Sequence, residues 1–503
     1  MSKDLILTCD AGTSAIKCSL FTTDGRVLSA VRGEYPTNFP RPSWSEQSPE
    51  VIRDAMVRCI RQLLQQVNPE RIACVGLSGT MNGCIPVTET GEVLHPNIIH
   101  SDSRAYAEIH DIANVISPEE FYRLTGNRLD NHYTLPKILW MRKHHPEIYQ
   151  KARWWLNTKD YLYGCLTGRF GVTDYSDASL TIALDIKHGR WADSLLRELG
   201  VDPTRMPEIR PGHDVTGYIR RAAAAETGLL LGTPVAVGGG DGACAARGAG
   251  IHKPGSAYAC MGSSSWVSQL TDAPVFDPEA RIFNYLDMDG VSNHTCGTVQ
   301  CGGDAFNWAT DHLLSSGENQ SFAISHVENM ARQIAPGAEG VYYLPTLMGE
   351  RTPYWDPNTR GCLMGFTLYH NRNHIARAVY EGIAYALLSC AEVMRECGLP
   401  VRDLMLTGGG AKSGLWPDIL AAAFGIETRV HSQPGEATSL GAAIAAGVGA
   451  GVFSGYEEAA GMVQARSHHP VNPVWAEEYK KRFPVYARMY ERLKPLFDEI
   501  SQN

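Results

Sequence analysis

Leu5-Ile-Leu-Thr-Cys-Asp10-Ala-Gly-Thr-Ser-Ala-Ile-Lys17-Cys-Ser-Leu-Phe-Thr22 reads as two apolar strands joined by a turn of small residues. The pair Asp24-Gly25 predicts a hairpin turn, residues 49–66 carry helical patterning, and residues 72–78 make a further strand. That strand runs into a glycine-bearing loop, Gly79-Thr-Met-Asn-Gly83. The same plan returns downstream, where Val235-Ala-Val-Gly leads into Gly239-Gly-Asp241-Gly242 and residues 256–260 lead into Gly262-Ser-Ser-Ser265. Residues 404–407 then lead into Gly408-Gly-Gly410. Strands that end in glycine turns and feed helices predict an α/β fold whose ligands sit at strand ends. The repetition is one of architecture, without residue-level duplication.

A chain of 503 residues exceeds what one core normally holds, so two domains are expected. A boundary near residue 250, just before His252-Lys-Pro-Gly255, gives units 1–249 and 250–503. No low-complexity linker marks it, so the halves are expected to pack around one cleft.

Hydrophobic residues make up 44% of the chain and charged residues 20%, an ordinary globular balance. The net charge of −9 argues against nucleic acid as a partner, which calls for clustered Lys and Arg. Thirteen Cys occur with no CxxC pair, and Cys9, Cys18, Cys74 and Cys84 lie in apolar surroundings, as small core hydrophobes do. A reducing cytoplasm fits this usage better than a disulfide framework. Residues 1–3 run straight into a strand, so no signal peptide is expected, and the apolar run 440–453 is too short and glycine-rich to span a membrane. The expectation is a soluble cytoplasmic protein.

Four turns carry the candidate chemistry. In Asp10-Ala-Gly12-Thr13-Ser14, backbone N–H groups and two hydroxyls can hold phosphate oxygens, Lys17 adds charge, and Asp10 can hold Mg²⁺ through water. The bland alternative is a hairpin whose Asp caps the turn, and on this segment alone it is the better reading. There is no GxxxxGK[ST] loop and no GxGxxG after a strand. In Gly238-Gly-Gly-Asp241-Gly242, the glycines let a substrate approach one carboxylate, which could accept a hydroxyl proton during phosphoryl transfer. Equally, Asp241 could cap a helix beginning at Ala243. Gly262-Ser263-Ser-Ser265 is a second donor-rich turn, and Gly408-Gly409-Gly410-Ala411-Lys-Ser413 precedes a helix over 415–424 whose N-terminus suits an anion or adenine.

Together with Gly349-Glu-Arg-Thr-Pro-Tyr354 and Glu436-Ala-Thr-Ser-Leu-Gly-Ala-Ala443, this ordered set resembles the FGGY carbohydrate kinases, over residues 5 to about 450. The resemblance implies two ribonuclease-H-like, actin-like ATPase domains with ATP and a sugar in the cleft between them. It implies Asp10 as the Mg²⁺-side acid, Gly12, Thr13, Ser14 and Lys17 as phosphate contacts, and Asp241 as catalytic base. It further implies Gly262 and Ser263 as the second phosphate turn, and Gly303, Gly409, Gly410 and Ala411 as the nucleotide pocket. The expected cofactors are ATP and Mg²⁺, the expected assembly is a homodimer, and neither a membrane nor a nucleic acid is an expected partner.

Trp44-Ser-Glu-Gln47 and Thr134-Leu-Pro-Lys-Ile-Leu-Trp140 resemble the xylulokinase branch, and residues 437–456 also resemble the autoinducer-2 kinase branch. The acceptor is expected to meet Met81, Asn82, His132, Asp241 and Gly242. Xylulokinases carry Gln-Met-His-Gly where this chain has Thr80-Met81-Asn82-Gly83, and Asp-Asn where it has Asp241-Gly242. Both departures remove polar partners that discriminate between sugars. Asp102 and Arg104 either contact the sugar or pair with each other on a surface. A terminal hydroxyl of a ketopentose or related polyol is the expected acceptor. The rivals are another FGGY substrate (a tetritol, glycerol, a sugar acid or autoinducer-2), a non-catalytic actin-like nucleotide switch, and a degenerate kinase serving as sugar sensor.

Overall fold

In the computed structural model, which describes residues 3–315 and 320–501, the N-terminal apolar run becomes strand β1 (Leu5–Ala11). It turns back as β2 (Ala15–Thr22) and again as β3 (Val27–Glu34). Helix α1 (Pro49–Leu64) starts where expected, because Ser48 accepts the Val51 N–H and proline occupies the first turn. Its buried stripe, Ile52, Met56, Ile60 and Leu63, packs on β2 and β3. The chain then enters β4 (Ile72–Gly79), parallel to β1. Two-residue strands β5 (Gly217–Tyr218), β6 (Pro234–Val235) and β7 (Gly239–Gly240) complete a sheet of order β5-β6-β4-β1-β2-β3, with β7 paired to β4.

The second sheet repeats the plan. Strands β8 (Ala257–Met261), β9 (Ser265–Thr271), β10 (Phe283–Leu286), β11 (Asn293–Val299), β12 (Leu404–Thr407), β13 (Thr428–His431) and β14 (Ala465–His469) order as β10-β11-β9-β8-β12-β13-β14. Strand β8 pairs antiparallel with β9 and parallel with β12, as β1 pairs with β2 and β4.

Two expectations need correction. The strand beginning at Val235 is broken, because Gly238 takes φ +80° where a Cβ would lie 2.1 Å from the Leu77 carbonyl oxygen. The helix expected from Ala243 begins earlier, as α2 (Asp241–Gly248), so Asp241 is its first residue rather than its cap. Helix α3 (Arg372–Glu396) is the long buried crossover of the second half.

Helix α4 (Ala437–Gly449) joins the halves. A Cβ on Gly441 would lie 1.8 Å from the Cys244 carbonyl oxygen, and one on Gly248 would lie 1.7 Å from that of Ala437. Helices α2 and α4 therefore cross with their backbones touching. Helix α4 also meets β4, where a Cβ on Gly76 would lie 2.3 Å from the Ala442 carbonyl oxygen. Helix α5 (Pro473–Ser501) closes the second half against α3 and the helix Trp416–Phe424.

Candidate active site

Strand register brings the two key carboxylates to one edge. Asp10 pairs with Ser78 on one side of β4, and Gly239 pairs with Ser78 on the other, so β1, β4 and β7 end in one row. Asp241 follows two residues later as the first residue of α2. Both acids are recessed yet partly open to solvent. Burial, together with the charge of nearby Asp10, pushes Asp241 up to about 7. Burial also pushes Asp10 up to about 6, opposed by Lys17 and reinforced by Glu436. The cap position of α2 is Gly240, which has no side chain, and the Asp241 carboxylate accepts a backbone hydrogen bond from Gly242 in the first turn.

The turn at residues 12–14 is exposed at Thr13 and Ser14 and is braced from behind. Gln47 Nε2 donates to the Thr13 carbonyl at 2.6 Å, Tyr35 donates its hydroxyl to the Gly12 carbonyl, and Arg32 donates to Ser14 Oγ at 3.3 Å. Lys17 is held across the cleft. Its Nζ donates to the Gly435 carbonyl at 2.5 Å and pairs with Glu436 at 3.3 Å. Glu436 also accepts from Ser19 Oγ at 3.4 Å.

In the second half, Gly262, Ser263, Gly303, Gly409 and Gly410 line one cavity of about 890 Å³. The turn at 262–263 is locked to the following helix, since Gly303 N–H donates to the Gly262 carbonyl at 2.8 Å and Gly302 N–H to that of Ser263 at 2.9 Å. Ala411 departs from expectation. Its side chain is fully buried away from the cavity, and its carbonyl accepts from Arg466 at 3.0 Å. The cavity adds Phe306, Asn307, Glu328, Tyr380 and Trp416, residues that no local motif marks.

The expected acceptor side is built on a buried lysine. Lys137 Nζ donates to the carbonyls of Asn82 (2.6 Å), Ile99 (2.9 Å) and His132 (2.7 Å). Burial pulls its pKa down to about 7, but three accepting carbonyls require three N–H groups, so the ammonium form is the one this geometry holds. Asn82 adopts φ +66° beside it, and Met81 lies against the base loop, where a Cβ on Gly240 would meet its Cε at 2.6 Å. His132 Nδ1 sits 2.5 Å from Asp130, which His132 holds at about 2 despite burial. Burial and the neighbouring Lys137 and Arg351 charges push His100 down to about 4. Arg351, from the Gly349–Tyr354 motif, lies over the Trp355 ring at 6.0 Å and has no ion pair among the described residues. Its charge acts on His100, Asp130, Tyr133 and Glu350.

Asp102 and Arg104 pair at 2.7 Å, but both side chains are buried rather than on a surface. Arg104 also pairs with Glu46 at 2.7 Å and lies over the Trp44 ring at 3.8 Å, while Asp102 accepts the Ser45 N–H at 2.6 Å. The segments around Trp44 and Asp102 thus interlock as one structural unit.

Family models cover most of the chain. The N-terminal domain of the FGGY family of carbohydrate kinases matches residues 5–248, and its C-terminal domain matches residues 257–450. A xylulose kinase of Bacillus subtilis is 32% identical over 498 residues, covering 98% of this chain and 97% of that protein. A gluconokinase of the same organism is 28% identical over 504 residues, covering 99% and 97%. A crystal structure of gluconate kinase from Lactobacillus acidophilus superposes with a TM-score of 0.92 at 27% identity, covering 99% of both chains. The chain belongs to the FGGY family of carbohydrate kinases.

Proposed function

We propose that the chain moves the terminal phosphoryl group of ATP onto a terminal hydroxyl of a ketopentose such as xylulose, with Asp241 as the base. The observation that carries this reading is the convergence of Asp10, the residue 12–14 turn and Asp241 on one strand edge, with Asp241 held near neutrality. A carboxylate that titrates near 7 can accept a proton at working pH and release it afterwards. The acceptor oxygen attacks the γ-phosphorus, the bond to the departing ADP oxygen breaks, and the acceptor proton passes to Asp241.

The donor set suits a hard divalent cation. Asp10 raises the cost of ionising Asp241, and an ion of that kind relieves it. Asp10 would hold Mg²⁺, which supplies charge neutralisation of the phosphates when bound. Among the described residues no cluster of three ligands exists, so the remaining ligands would be water and phosphate oxygens. Gly12, Thr13 and Ser14 present donors to one end of the triphosphate and Gly262 and Ser263 to the other, while Gly303, Gly409 and Gly410 line the room for the nucleoside. Residues 1–249 carry the base and the Met81, Asn82 and His132 side of the acceptor pocket, and residues 250–503 the nucleotide and Arg351.

A second reading is a sugar acid as acceptor. Arg351, which has no ion pair among the described residues, and Lys137 favour a carboxylate there.

The test measures acceptor-dependent ADP release over D-xylulose, L-xylulose, ribulose, erythritol, glycerol and gluconate. A ketopentose should give the highest kcat/KM. Highest turnover of gluconate would replace the first reading by the second, and ADP release indifferent to every acceptor would overturn both. Asp241→Asn should lower kcat by at least about 10³-fold with nucleotide affinity within about threefold of the parent. Near-normal turnover of that variant would remove Asp241 from the role.

A further inference from the structure

Behind Asp241 lies a buried charge cluster that the transfer step does not use. Arg247, in the last turn of α2, donates to Asp287 Oδ2 through Nε at 3.0 Å and Nη2 at 2.5 Å, and through Nη2 to Asp289 at 2.6 Å. The other oxygen of Asp287 lies 2.9 Å from His294 Nε2. His294 is stacked on the ring of Tyr285, with centroids 4.8 Å apart and planes at 24°. All of these side chains but Asp289 are nearly sealed from solvent.

The stack ends against the loop that carries Asp241, where the buried Tyr285 hydroxyl also bonds Ser268. A Cβ built on Gly242 would stand 3.4 Å from Tyr285 Oη and 3.7 Å from Met81 Sδ. The Tyr285 hydroxyl is therefore neighbour to the residue after the base, which is partly open to solvent. Gly242 has no left-handed φ, and its Cβ would make only ordinary contacts. Neither backbone nor packing demands glycine there, so what the missing side chain keeps free is approach to Asp241 and Tyr285 from the cleft.

A buried ionic cluster seldom stabilises a fold more than apolar packing of equal volume would. What this one does is geometric. Helix α2 carries Asp241 at its first residue and Arg247 at its seventh, and the cluster binds that helix to the β10–β11 hairpin that bears Tyr285. Base and tyrosine are fixed in one frame although they come from opposite halves of the chain.

We propose that Tyr285 is an acceptor-binding residue, its hydroxyl bonding a second hydroxyl of the acceptor while Arg247, Asp287 and His294 position its ring relative to Asp241. This rests on the kinase reading above and narrows the substrate class to compounds that carry a second hydroxyl besides the one attacked. Tyr285→Phe should raise the acceptor KM about tenfold, the loss of one hydrogen bond to a buried partner, with kcat and the ATP KM within about twofold. Asp287→Asn should raise the acceptor KM likewise, and the double variant should be no worse than the stronger single one, because both act on one contact. If Asp287→Asn does not fold, His294→Gln takes its place in the cycle. A deoxy acceptor lacking the second hydroxyl should be used equally by parent and Tyr285→Phe. An unchanged acceptor KM in Tyr285→Phe, or additive effects in the double variant, would overturn the proposal. A parent enzyme that phosphorylates none of the polyols would instead overturn the kinase reading on which it stands.

Discussion

Asp10 and Asp241 compete for the same electrostatic space, and that competition sets a pH dependence. As the proposed base Asp241 must be ionised to accept a proton, and burial together with Asp10 holds its pKa near 7. In the free enzyme kcat/KM should therefore climb with pH through about 7 and level off above it, and Asp10, held near 6, should steepen the acid limb. A profile flat from pH 5 to 8 would contradict this assignment. Asp241 itself was legible because a triple glycine before one acid at a strand end leaves little else for the acid to do but face a ligand or cap a helix. The choice between those two was not legible, since it depends on where α2 begins. Lys17 shows the same boundary. Its charge beside the turn is visible in the chain, but its partners, Gly435 and Glu436, lie more than four hundred residues away.

Among the elements, α4 is where a sequence motif acquires its physical reason. Glu436–Ala443 was readable only as a resemblance, whereas the fold shows Gly441 and Gly248 letting two helices cross backbone to backbone. Gly441→Ala forces a methyl to within 1.8 Å of the Cys244 carbonyl oxygen, so α2 and α4 must part. We expect a loss of about 2–3 kcal/mol in urea unfolding, with lowered turnover because α2 carries the proposed base. Gly409→Ala is the contrasting case, since nothing lies within 4 Å of its Cβ position and it borders the nucleotide cavity. That variant should unfold at the parental urea midpoint while its ATP KM rises several-fold. Equal destabilisation of the two would show that the helix crossing is not the critical contact. Ala411, two residues beyond Gly409, has its side chain buried because a short 3-10 turn at Gly410–Lys412 aims it inward.

At the scale of the molecule, the two-sheet plan was visible in the repeated strand-to-glycine-turn units, because each unit is local. Contacts that gather the site from distant segments were not, and α5 makes the strongest case. Its Tyr479 hydroxyl accepts from Arg377 at 2.6 Å and donates to Glu381 at 2.9 Å, completing a buried ion pair on α3. Further along, Tyr490 and Lys494 bond Asp356 at 2.9 and 3.1 Å, and Tyr490 stacks on Tyr354 at 3.7 Å. The helix thereby fastens the loop that carries Arg351, on the proposed acceptor side. Burying Tyr479, Tyr486, Met489 and Phe497 contributes roughly 6–12 kcal/mol, comparable with the whole stability of a domain. A chain ending at residue 472 should therefore lose the cooperative unfolding of its second half in calorimetry, and with it nucleotide binding. The milder Tyr490→Ala should keep the fold, retain the ATP KM and raise the acceptor KM, because only the Glu350–Trp355 loop is released. A truncated chain that melts cooperatively at the parental temperature would show that α5 is an appendage, and that the acceptor side is ordered by the residues of the cleft alone.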